Sequence, residues 1–225
     1  MPFAATPDTL AGAVHMLAVA TCDESWLCAL TPREQHEYYG LPHAARRRDW
    51  LAGRCAAKRA IGARWAVPAD QIELTPVPDA APRPSVRNRT GGWSPLPVRL
   101  TIAHRGGVAI AAAFPSTAFF GVDLERAGEL SAVELRYFLS ESERSRHDGI
   151  DATLIWVLKE AAWKALGLGP STPLSSLQLV FGDDQGDLVA VRHGARELRA
   201  RAGVARILTS RPMIAALVEI APEAA

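Results

Sequence analysis

The chain has 225 residues, of which 48% are hydrophobic and 22% charged, and its formal net charge is +1. That balance excludes a disordered or collagen-like polymer and leaves room for one large domain or two small ones. No apolar run reaches the ~20 residues a membrane helix needs, and near-neutral charge argues against a general nucleic-acid binder.

The apolar stretch Ala11–Ala20 follows Asp8 with no Lys or Arg before it, so it does not read as a secretory signal. Cys22, Cys28 and Cys55 form neither an even disulfide set nor a metal-ligand pair. The expectation is buried, reduced thiols in a cytoplasmic protein. The basic residues are 22 Arg and only three Lys: Lys58, Lys159 and Lys164. Arg is concentrated between Arg33 and Arg105, including the run Arg46–Arg48. Such a local stripe suits a compact polyanion better than a long duplex.

In chain order, a first strand is expected around Leu17 and Val19. Leu30-Thr31-Pro32-Arg33-Glu34 then reads as a capping-box helix start. A second helix is expected to end at Gly62, with a short strand after Pro68. Pro76–Pro97 is rich in Pro, Arg and Gly and reads as a loop. Val98–Ala103 and Val108–Phe114 read as strands, as does the alternating segment Phe119–Glu125. Leu139-Ser140-Glu141-Ser142-Glu143 repeats the capping-box pattern. Thr153–Leu166 has helical periodicity with a core stripe of Leu154, Leu158, Ala161, Ala165 and Leu168. Gly167 should end that helix, followed by a strand after Pro173 and by strands at 204–208 and 213–220.

The halves resemble one another. A shift of 105 positions lays Ala56–Gly62 on Ala161–Gly167, Pro68 on Pro173 and Leu74 on Leu179. The expected fold is therefore α+β, a pseudo-dimer of two similar halves, residues 1–115 and 116–225, with the active site at their interface.

The acidic residues are not repeated. Asp123 and Glu125 fall on one face of their strand, with Phe120, Val122 and Leu124 on the other. Two carboxylates side by side repel, which is tolerable at a solvated edge or useful around a hard cation such as Mg²⁺. Trp156, Glu160 and Lys164 recur at i, i+4 and i+8 on one helix face, either as a surface pair or as part of a covered site. At the same 105-residue shift the first half has Ala18, Ala20 and Cys55 in place of Asp123, Glu125 and Glu160. One active site with acids from the second half and a binding surface from the first fits that asymmetry.

Gly121-Val122-Asp123-Leu124-Glu125, followed about 30 residues later by Trp156-Val157-Leu158-Lys159-Glu160-Ala161-Ala162-Trp163-Lys164, resembles the 4′-phosphopantetheinyl transferases of the Sfp-type group. Trp50-Leu51-Ala52-Gly53-Arg54 with Lys58 is similar to that family's first-half helix, and Arg83-Pro84 to its basic loop. Ile102-Ala103-His104-Arg105 stands where the family usually has Ser-His-Ser or Ser-His-Thr, so the flanking hydroxyls are missing and Arg105 is a substitute phosphate contact. Glu34 and Glu37 stand where some members have basic residues, and no contact is carried over there.

The resemblance implies an enzyme that moves the phosphopantetheine arm of coenzyme A onto a serine of an acyl or peptidyl carrier protein. Adenosine 3′,5′-bisphosphate is the other product. It implies Mg²⁺ on Asp123, Glu125 and Glu160, with Lys164, Lys159 and His104 at the phosphates and Glu160 as base or ligand. Arg48, Arg54, Arg83 and Arg105 are candidate coenzyme A contacts. A monomer is expected, and the choice of carrier is not readable.

The rival readings are a Mg²⁺-dependent nucleotide phosphohydrolase and a non-catalytic module binding coenzyme A or a carrier. His15, His36, His43, His147 and His193 match no metal pattern. Trp156 and Trp163 read as helix packing, and Phe138-Leu139 as either a carrier groove or plain core.

Overall fold

The computed structural model describes residues 17–21, 24–128, 130–140, 143, 151–182, 187–208 and 210–221. The fold is mixed α+β and separates into one unit of Ala13–Thr117 and another that includes Ala118–Ala225.

The first unit runs β1 (Leu17–Thr21), α1 (Pro32–Gly40), α2 (Ala44–Trp65), β2 (Ile72–Val77), β3 (Ala80–Arg87), β4 (Trp93–Pro95), β5 (Val98–Arg105) and β6 (Val108–Pro115). Its strands form two antiparallel sheets, ordered β1-β6-β5 and β2-β3-β4. Leu51, Cys55, Ala56, Ala60 and Ile61 of α2 join Ala109, Ala111 and Ala113 of β6 in one core. Small residues on both surfaces let the helix lie close to the strand.

Pro76–Pro97, expected as a loop, is mostly sheet. A Pro78-Asp79 turn joins β2 to β3, with Asp79 at φ 53° in the left-handed region. Proline at the first turn position and an Asp tolerant of positive φ explain why this proline-rich stretch turns tightly. Helix α2 also runs past Gly62 to Trp65, capped by Ala66 at φ 53°. Gly62 is a contact glycine inside the helix: a β-carbon there would lie 2.8 Å from the Val67 carbonyl oxygen. Cys55 is buried as expected, whereas Cys28 is exposed; Cys22 lies outside the described residues.

The second unit runs β7 (Phe119–Arg126), α3 (Ala132–Phe138), α4 (Ala152–Leu166), β8 (Leu177–Phe181), β9 (Leu188–His193), β10 (Arg196–Ile207) and β11 (Met213–Ile220). One five-stranded antiparallel sheet holds them in the order β7-β11-β10-β9-β8. Helix α4 buries Leu154, Leu158, Ala161 and Ala165 with Ile214, Ala216 and Val218 of β11. Strand β10 begins at Arg196 rather than 204, because its inward positions are Leu198, Ala200 and Ala202 between outward arginines. Alanine is too weak an apolar signal to advertise that alternation.

Both units are built around the same buried ion pair. In the first, Glu34 closes the Thr31 capping box, and its carboxylate also accepts from Lys58 Nζ at 2.6 Å and from the Leu74 amide at 3.1 Å. Lys58 donates in addition to the Ala29 carbonyl at 2.7 Å. In the second, Glu143 closes the Ser140 box and accepts from Lys159 at 2.6 Å and from the Leu179 amide at 2.9 Å. Lys159 donates in addition to the Phe138 carbonyl at 2.6 Å. Burial lowers the pKa of both ammonium groups, and the paired glutamate opposes that shift.

This pairing corrects the helical register of the repeat. Lys58 corresponds to Lys159, and the left-handed cap Ala66 to Gly167, a shift of 101. Pro68 and Pro173 open matching 3-10 turns at the original shift of 105, so the register is not continuous. The counterpart of Glu160 in the first half is therefore Arg59, not Cys55.

Removing one partner of a buried pair strands the other's charge, at a cost of about 3–5 kcal/mol. Glu34→Ala and Glu143→Ala should each lower stability by that amount in urea unfolding, whereas exposed Glu134→Ala should lower it far less.

Candidate active site

Strand β7 and helix α4 meet at Gly121. A β-carbon there would lie 1.9 Å from the Ala161 carbonyl oxygen and 2.6 Å from the Ala165 amide nitrogen. Only glycine allows this approach. Asp123 and Glu125 follow at i+2 and i+4, on the strand face that carries Gly121. Their cross-strand partners are Ala216 and Ile214, both in the core beneath α4. This face is thus covered rather than a solvated edge.

Helix α4 begins at Asp151, whose side chain accepts from the Thr153 amide; the Thr153 hydroxyl in turn accepts from the Gly128 amide at 3.1 Å. The turn after β7 is thereby tied to the start of the helix. From α4, Lys164 Nζ reaches Asp123 Oδ1 at 2.6 Å and Glu160 Oε2 at 3.8 Å. Asp123 is 7% exposed. Glu125 Oε1 accepts from the Arg126 amide. Burial pushes the Glu160 carboxyl above the usual carboxylate range; Asp123 and Glu125 push the same way and Lys164 opposes them.

As donors, three carboxylates against one ammonium leave an excess of two negative charges, which suits a divalent cation that prefers oxygen ligands. As placed, however, among the described residues no three His, Cys, Asp or Glu side chains are gathered closely enough to hold an ion. Asp123 is turned to Lys164 instead.

The other expected site residues divide by burial. Lys159 is fully buried on Glu143. Arg54 is also buried, donating to the Leu74 carbonyl at 2.9 Å and to Glu37 at 3.2 Å, with its guanidinium over Trp50. As placed, both are held by groups of the fold. Arg48, Arg83, His104 and Arg105 are exposed.

His104 and Arg105 end β5 just before a two-residue turn, Gly106-Gly107, with φ of 60° and 81°. Such a primed turn needs positive φ at both positions, which glycine adopts without strain. Asp49 of α2 accepts the Gly107 amide. Gly53 lies under the His104 ring, since a β-carbon there would be 3.3 Å from its Cδ2. Nothing in spacing singles out Asp49. A glycine inside a helix, as at Gly53, is the one available hint of a close approach.

Trp156 packs edge-on against Phe138, with ring centroids 4.4 Å apart, and Trp163 donates to the Thr172 carbonyl. Phe138 and Leu139 are core residues. His15 and His147 lie outside the described residues.

Residues 119–217 match the model of the 4′-phosphopantetheinyl transferase superfamily. The similarity lies wholly within the second unit. The match supports phosphopantetheinyl transfer as the general activity, and it encloses Asp123, Glu125, Glu160 and Lys164. A comparison with curated proteins finds no match. Among the described residues, no helix is long and apolar enough to cross a membrane.

Two outcomes follow from this geometry. Gly121→Ala should destabilise the protein by about 3 kcal/mol, because backbone rather than a movable side chain fills the space. For Glu160 the folded pKa is raised, so between the ordinary carboxylate value and the folded one the native state binds more protons than the unfolded state. Stability then falls as pH rises through that window. Glu160→Gln should melt at a higher temperature than the parent at neutral pH in EDTA, and the advantage should shrink as the pH falls through that window and be gone below the ordinary carboxylate value of about 4.3.

Proposed function

We propose that the protein is a 4′-phosphopantetheinyl transferase of the Sfp type, moving the arm of coenzyme A onto a carrier-protein serine. The observation that carries the reading is the pairing of Lys164 with Asp123 at 2.6 Å beside Glu160, inside the superfamily match. A diphosphate donor needs a cationic group where negative charge develops and a base for the incoming hydroxyl. This cluster offers both types of group in one place.

In the proposed step, the carrier serine Oγ forms a bond to the β-phosphorus of coenzyme A while the bond from that phosphorus to the bridging oxygen breaks. Adenosine 3′,5′-bisphosphate departs with the bonding electron pair, and Lys164 stabilises its charge. The serine proton passes to Glu160, directly or through water; a carboxyl held above its ordinary pKa accepts a proton more readily. Mg²⁺ is the cofactor proposed for the cluster, with Asp123, Glu125 and Glu160 as its donors; bound there it neutralises diphosphate charge. His104 and Arg105 are proposed as phosphate contacts, with exposed Arg48 and Arg83 as further contacts. The proposed partners are an acyl or peptidyl carrier protein, met by a monomer in the cytoplasm.

The test is intact-protein mass spectrometry of apo acyl- and peptidyl-carrier proteins incubated with this protein, coenzyme A and either Mg²⁺ or EDTA. The expected result is a gain of one phosphopantetheine with metal only, reduced about 100-fold or more in rate by Glu160→Gln. Coenzyme A cleaved with no gain on any carrier would assign a phosphohydrolase. Coenzyme A bound and left intact would assign a binding module.

A further inference from the structure

The chain has three lysines, and two are sealed: Lys58 is 1% exposed and Lys159 fully buried, each on its own glutamate. Lys164 alone of the three retains an accessible side chain, 24% exposed, yet its ammonium is engaged by Asp123 and lies near Glu160. While it lies on Asp123, much of the ammonium's charge is offset there, which leaves less for a departing phosphate. A cation bound by Asp123 would share that carboxylate with Lys164, and two positive charges on one carboxylate repel.

We propose that Lys164 is the resident counter-ion of the acidic cluster and leaves Asp123 when a divalent cation binds. Its ammonium is thereby released to the anionic substrate. Cation and substrate then load in a linked way: whatever displaces Lys164 from Asp123 improves the site for phosphate, and reciprocally. The cation competes with Lys164 for the same carboxylate, so in the free protein Lys164 offsets part of the cluster's charge without metal. This inference rests on the reading that Asp123, Glu125 and Glu160 hold the cation. It concerns what occupies those carboxylates beforehand.

The test follows Lys164 directly, with Mg²⁺ alone as the probe. The full-length protein is treated with an amine-acylating reagent at fixed pH, and peptide mass spectrometry gives the rate at each lysine. Lys58 and Lys159 serve as unreactive references. Mg²⁺ should accelerate labelling of Lys164 at least about fivefold, toward the rate in metal-free Asp123→Asn, where its partner charge is gone.

Calorimetry on the same samples should show Lys164→Ala binding Mg²⁺ about 5- to 150-fold more tightly than the parent. Lys164→Arg, whose guanidinium forks onto a carboxylate, should bind no more tightly than the parent. Mg²⁺ bound with Lys164 labelling unchanged or slowed would overturn the displacement while leaving the metal reading intact. No Mg²⁺ binding at millimolar concentration would overturn both.

Discussion

Between Gly121 of β7 and the backbone of α4 there is no room for a β-carbon: the nearest atom would be 1.9 Å away. That approach sets the reach of every functional side chain on the helix. With α4 at this distance, Lys164 spans from helix to strand and contacts Asp123, while Glu160, one turn earlier, sits beside the same carboxylates. A bulkier residue at 121 would lift the helix by more than a hydrogen bond can stretch. The alanines at 161, 162 and 165 serve the same end, since each is fully buried with no side chain beyond the β-carbon.

On another face of α4, the Glu143–Lys159 pair ties the helix to β8 and to the end of α3 and the segment after it. Lys159 and Lys164 are five residues apart and have opposite fates. Lys159 is locked among backbone carbonyl and carboxylate oxygens, while Lys164 faces the acidic cluster. The first unit repeats the structural pair at Glu34–Lys58 and lacks the acids. In Lys-Glu-x-x-x-Lys, one lysine is thus sealed within the fold, and the proposed chemistry falls to the glutamate–lysine pair. Burial, and after it the negative charge of Asp123 and Glu125, raises the Glu160 pKa. That cost to stability is the usual mark of a site arranged for reaction rather than for folding.

Much of this was legible in the sequence. Both capping boxes, the β5–β6 hairpin, β7 with its two carboxylates on one face, and the helix carrying Glu160 and Lys164 follow from turn chemistry and periodicity. What escaped reading has physical causes. Prolines, which normally interrupt strands, stand within β3 at Pro82 and Pro84 as well as in the turn before it at Pro78. The alanines of β10 give too little contrast for alternation to show. The repeat could be aligned through its helices in two registers one turn apart, because alanine-rich helices look alike; only the buried lysines separate a shift of 101 from one of 105. Burial also decides what a basic residue can do, and neither Lys159 nor Arg54 reveals by spacing that its charge is held within the fold.

The central claim is that this acidic cluster with its lysine serves transfer of an intact phosphoryl-linked arm to a protein hydroxyl. It is tested most directly by ³¹P nuclear magnetic resonance of coenzyme A incubated with the protein, Mg²⁺ and an apo carrier protein. The account predicts loss of the two coupled diphosphate signals. In their place should appear one phosphodiester signal on the carrier and the two phosphomonoester signals of adenosine 3′,5′-bisphosphate, in equal amounts. Free phosphopantetheine or inorganic phosphate, with no phosphodiester on the protein, would contradict it.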